Sequence, residues 1–101
     1  MLPKNRRPTH PGEIIRYDFL EPLNMTQQQL AEAIGVTRVR INELILGKRS
    51  ITPDTAFRLA KFFNTTPDFW VSLQNSVDMW DTLQFRKKEY ARITPLERKV
   101  A

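Results

Sequence analysis

Apolar residues along this chain recur three and four positions apart, and no segment alternates strictly. That is the period of helices packed along one side, so the pattern predicts an all-α chain without strands. Ile14, Ile15, Phe19 and Leu20 mark a first helix, which starts at Pro11, carries Glu13 in its first turn and ends at Pro22. Leu30, Ala31 and Ile34 give a second helix over about 27–34. Ile41, Leu44 and Ile45 give a third over about 38–46. Ala56, Phe57, Leu59, Ala60 and Phe63 line a fourth, which opens at Thr52-Pro53 and stops at Asn64. Thr66-Pro67-Asp68 opens a fifth, expected to run to about residue 84. Thr26 and Gln29 have the spacing of a capping box, Thr37 can cap the third helix, and Gly35 and Gly47 stop helices where φ turns positive. The chain divides into a basic arm (1–10), a helical body (11–85) and a charged, flexible tail (86–101) punctuated by Pro95.

The second and third helices form a distinctive pair. Ala31 is small, Gly35 sits at the turn, and Ile41 faces inward, as needed where two helices cross closely at a short turn. That spacing is a helix-turn-helix, whose second helix enters the DNA major groove. An ordinary helical hairpin with a wet outer face fits the same pattern. Lys48 and Arg49, directly after the third helix, favour the DNA reading, because a helix in a groove needs cations to meet phosphates.

Charge supports a polyanionic partner. The 101 residues carry a net +5, with a pI near 10. Residues 36–50 hold Arg38, Arg40, Lys48 and Arg49 against Glu43. Lys4, Arg6 and Arg7 make the arm basic. Arg86, Lys87, Lys88, Arg92, Arg98 and Lys99 outweigh Glu89 and Glu97 in the tail, while 11–35 and 51–85 are net acidic. Cysteine is absent, which excludes disulfides and fits a reducing, cytoplasmic setting. No 18-residue apolar run suggests a membrane span, and the N-terminus lacks a signal-peptide core. His10 is the only histidine, so no metal site is expected; it serves better to end the arm before the first helix. No catalytic constellation or phosphate loop appears, so neither an enzyme nor a cofactor is expected.

The fifth helix carries more apolar surface than its own packing requires. Trp70, Leu73, Val77, Trp80 and Leu83 form a stripe, widened by Phe69 and Met79. Either all of it packs on the first and fourth helices, or its later part, Val77, Trp80 and Leu83, is a homodimer surface.

Residues 26–47 resemble phage-repressor-like helix-turn-helix domains of the lambda and 434 repressor type. The segments HPGEII (10–15), GVTRVRINELILGKRSITPDTAFRLAKFF (35–63) and TTPDFWVSLQ (65–74) together resemble HigA-type antitoxins, over about residues 10–80. The resemblance implies a five-helix, lambda-repressor-like dimer that binds a palindromic operator in double-stranded DNA and represses its own operon. It also implies a partner, a HigB-type toxin that cleaves mRNA on the ribosome. By position, Thr37, Arg38, Val39, Asn42 and Glu43 would face bases, while Gln27, Arg40, Lys48 and Arg49 would meet phosphates. Their chemistry suits those roles. Arg38 can bond guanine O6 and N7 in bidentate fashion, or a phosphate. Asn42 can pair with adenine, and Glu43 can accept from cytosine N4 or pair with Arg38 or Arg40. Gln27 stands at a helix N-terminus, where backbone N–H groups favour a phosphate. Arg38 and Arg40 make this helix more basic than many relatives, so the operator sequence does not carry over. Two alternatives remain: a lone regulator without a toxin, and a protein-sequestering module with vestigial DNA binding.

Overall fold

A computed structural model describes residues 6–97. Helix α1 (Pro11–Ile14) passes directly into a π-helical segment (Ile15–Leu20), followed by α2 (Gln27–Ile34), α3 (Arg38–Ile45), α4 (Pro53–Phe63) and α5 (Pro67–Ala91). No strand occurs among the described residues. Lys4 of the arm, and Arg98 and Lys99 of the tail, lie outside the described residues.

Each start is fixed by the residue expected to fix it. Thr26 Oγ1 accepts from Gln29 N–H at 3.0 Å while Gln29 Oε1 accepts from Thr26 N–H at 2.8 Å. Thr37, Thr52 and Thr66 cap α3, α4 and α5 through bonds of 3.1, 3.3 and 3.2 Å. Each such cap is worth about 1 kcal/mol. The stops are equally local: Gly35 (φ 74°) after α2, Asn64 (φ 58°) after α4 and Gly47 (φ 75°) just past α3.

The first helix departs from the expected regular α-helix. Its second part is wound with i to i+5 bonds, continued by Glu21 N–H to Arg16 O at 3.0 Å and Met25 N–H to Leu20 O at 2.9 Å. Ile15 and Leu20, five residues apart, are both buried. The wider winding lets both face the core.

That core joins Ile15 and Leu20 to Leu30, Ala31 and Ile34 of α2, Ile41, Leu44 and Ile45 of α3, Ala56, Leu59 and Ala60 of α4, and Trp70 of α5. Phe19 packs 4.4 Å from Phe63 and 5.4 Å from Trp70, centroid to centroid. Trp70 Nε1–H donates to Thr65 Oγ1 at 2.8 Å, so its one polar atom is satisfied.

On α5 only Trp70, Gln74 and Val77 are buried. Val77 is 1% exposed within a single chain, so it belongs to the interior and not to a dimer surface as expected. Trp80 is half-buried and Leu83 exposed. The helix continues to Ala91, beyond the expected end near residue 84, and Arg86 and Glu89 pair across one turn at 3.1 Å. The first six residues of the expected flexible tail, 86–91, are therefore helical. This overhang stretches the molecule to 57 × 29 × 21 Å. No helix among the described residues is long and apolar enough to cross a membrane.

Candidate nucleic-acid interface

The α2–α3 turn is held from both sides. Gly35 N–H and Val36 N–H both donate to Ala31 O, at 2.9 and 3.0 Å. Arg58 reaches over from α4 and donates through Nη1 to Ile34 O at 2.7 Å, while its Nε donates to Asp54 at 2.9 Å. The end of α2 is thus capped by a side chain 24 residues away.

Helix α3 is held from below by its own buried face, Ile41, Leu44 and Ile45, and by the start of α1. Gly12 lies flat against the end of α3. A Cβ there would overlap the Leu44 carbonyl oxygen and lie 2.9 Å from Ile45 Cα. His10 sits beside it: Nδ1 accepts from Gly12 N–H at 2.9 Å and caps α1, while the ring rests against Gly47, the glycine that ends the reading helix. Ile51 N–H donates to Gln74 Oε1 at 2.8 Å, tying the loop after α3 to α5. Local pattern did not mark the roles of Gly12 or Arg58. Gln74 alone carried a signal, since it falls four residues after Trp70 on the buried side of α5.

The held helix turns Thr37, Arg38, Val39 and Asn42 outward, with Glu43 half-buried at the edge of the same surface. Val39 is 67% exposed, unusual for an apolar side chain on a short helix. Arg38 and Lys48 are exposed and form no salt bridge among the described residues. These two are the free cations of the site.

The other expected phosphate ligands are placed differently. Arg40 turns toward α4, where Nη2 donates to the Thr55 hydroxyl and lies 3.6 Å from Asp54. Its Nε is buried without a hydrogen-bond partner among the described residues. Arg40 thus links α3 to α4, with its guanidinium turned toward α4 and not outward beside Arg38 and Lys48. Arg49 donates to Glu43 through Nε at 3.1 Å and Nη2 at 2.9 Å. The carboxylate pairs with neither Arg38 nor Arg40. Gln27 is half-buried at the start of α2, and its Oε1 is enclosed with no hydrogen-bond partner among the described residues.

Burial pushes the His10 imidazole below its ordinary pKa of 6.5, and the nearby Arg7 cation pushes the same way. Arg7 itself is tied to α5 by two 2.8 Å bonds to Asp81, which hold that carboxyl below its usual range.

This arrangement is a capped helix pair with an exposed polar helix and unpaired cations at its two ends. A family described as helix-turn-helix matches residues 17–70, so the protein is of that class by sequence as well as by fold. Among its relatives, an uncharacterized HTH-type transcriptional regulator of Escherichia coli, YbaQ, is 47% identical over 81 residues, 80% of this chain and 72% of that protein. Antitoxin HigA-1 of Vibrio cholerae is 40% identical over 96 residues, 95% of this chain and 90% of that protein. Antitoxin HigA of Pseudomonas aeruginosa, solved with the higBA promoter, superposes with a TM-score of 0.86 at 34% identity, over 90% of this chain and all of that one. The chain belongs to the helix-turn-helix family that includes the HigA antitoxins.

Proposed function

We propose that this protein is a sequence-specific DNA-binding repressor that binds a palindromic operator as a homodimer and shuts down its own operon from the cytoplasm. It serves at the same time as the antitoxin of a HigB-type toxin. The observation that carries the reading is the exposed, polar outer face of α3, held rigidly on a fold that superposes on a promoter-bound HigA. In this role Thr37, Arg38, Val39, Asn42 and Glu43 face base edges, while Lys48 and the start of α2 at Gln27 meet phosphates. The work is binding throughout, with no catalytic step. The dimer surface lies on the bare half of α5, where Trp80 and Leu83 are joined by Met79.

Footprinting upstream of the gene should show two inverted half-sites about 34–36 Å, or a multiple of that, apart. Equal affinity for operator and random DNA would sink the repressor reading. The antitoxin role has its own check: a neighbouring gene for a small, basic ribonuclease whose product co-elutes with this protein. An isolated gene points instead to a lone regulator.

A further inference from the structure

Glu43 is an unusual residue to aim at a polyanion. Alone, its carboxylate is repelled by every nearby phosphate, and its rotatable bonds leave the oxygens unplaced. Arg49 changes both facts. Its Nε and Nη2 donate to the same oxygen, Glu43 Oε1. Oε2 receives no hydrogen bond from any described residue. A carboxylate offers about four lone-pair sites over two oxygens, so holding one oxygen leaves the other open. The pair stays at the surface: the side chains of Arg49 and Glu43 are 48% and 36% exposed. The turn at Gly47 (φ 75°), with His10 packed on it, brings the chain back so that Arg49 reaches a residue six positions earlier.

We propose that Arg49 is a positioning residue for base reading and not a phosphate ligand. It cancels the charge of Glu43 and fixes the carboxylate so that Oε2 accepts from an exocyclic amino group in the major groove, cytosine N4 being the fitting donor. This inference rests on the DNA-reading role proposed above and deepens it by assigning each member of the pair its own task.

The test titrates the full chain against operator, against operators altered at each half-site base pair, and against random duplex, at several salt concentrations. Glu43→Gln and Arg49→Met should each relax discrimination at the same base pair by about tenfold. The double variant should lose no more than either single one. It should also bind random duplex as the wild type does, because the pair is neutral in both proteins. The slope of log affinity against log salt should move by much less than one for that double variant. A phosphate ligand behaves otherwise: Arg49→Met and the double variant would weaken all duplexes alike and flatten the slope by about 0.9 per subunit. That result overturns the proposal while leaving DNA reading intact. Effects of the two single variants at different base pairs, or effects that add, overturn it too. A wild-type protein that does not separate operator from random duplex removes both readings together.

Discussion

His10 shows how one residue joins the arm, α1 and the reading helix. Its Nδ1 must be unprotonated to accept from Gly12 N–H, and its ring is 8% exposed against Gly47. Burial and Arg7 both disfavour the charged form, against weaker opposing pulls from Glu13, Asp78 and Asp81. The folded pKa therefore lies below the unfolded value of 6.5, and the folded state binds fewer protons in that range. Stability is fully present above 6.5 and is lost as pH falls through the folded value. Chemical denaturation between about pH 7.5 and 5.5 should show the midpoint dropping on acidification, with a loss of no more than about 1.4 kcal/mol per pH unit below 6.5. His10→Asn keeps a capping oxygen that does not titrate in this window, and should remove the drop. An unchanged slope in that variant would place the effect elsewhere.

At the scale of elements, the decisive joint is α1 on α3. Gly12 lets the two backbones touch, and nothing larger fits without moving the end of the reading helix. Gly12→Ala should cost about 1–3 kcal/mol, in the manner of an overpacked core. It should also weaken operator binding beyond its effect on the folded fraction, which thermal melts beside titrations will separate. What the sequence made legible and what it did not divide along the same line. Helix starts and stops were readable because threonine caps, prolines at first positions and Gly35 or Asn64 act within one turn of themselves. The outward set Thr37, Arg38, Val39 and Asn42 was readable as the complement of Ile41, Leu44 and Ile45. The π-helical segment was not, since Ile15 and Leu20 are also compatible with an α-helix until docking selects the wider winding. Nor was the length of α5, because the apolar stripe fades after Leu83 while one charge pair, Arg86–Glu89, and the lack of a stop residue carry the helix on to Ala91. Arg40 looked like a free cation because its acceptor, Thr55, lies 15 residues away. Val77 looked like surplus surface because a stripe does not reveal where the core ends.

The described residues form one five-helix body whose last helix projects beyond it. Beyond Val77 no residue of α5 is buried, and Met79 and Leu83, one turn apart, are left on the exposed side of the helix beside half-buried Trp80. Apolar side chains collected in this way mark an interface. Leu83→Glu should give a folded monomer by sedimentation equilibrium, with its helical circular dichroism intact and operator affinity sharply reduced. Leu83 is 40% exposed where Val77 is 1%, so unfolding is not the expected outcome; a dimer that survives the change would place the interface elsewhere. The central claim is that the outer face of α3 reads base sequence while its flanking cations supply affinity. The most direct measurement compares Arg38→Ala with Lys48→Ala on a panel of operators altered one base pair at a time, across a salt series. Arg38→Ala should relax preference at one position per half-site by about 1–3 kcal/mol, whereas Lys48→Ala should weaken every duplex alike and flatten the salt slope by about one per subunit. If the two variants behave identically across the panel, α3 does not read DNA in the way its geometry indicates.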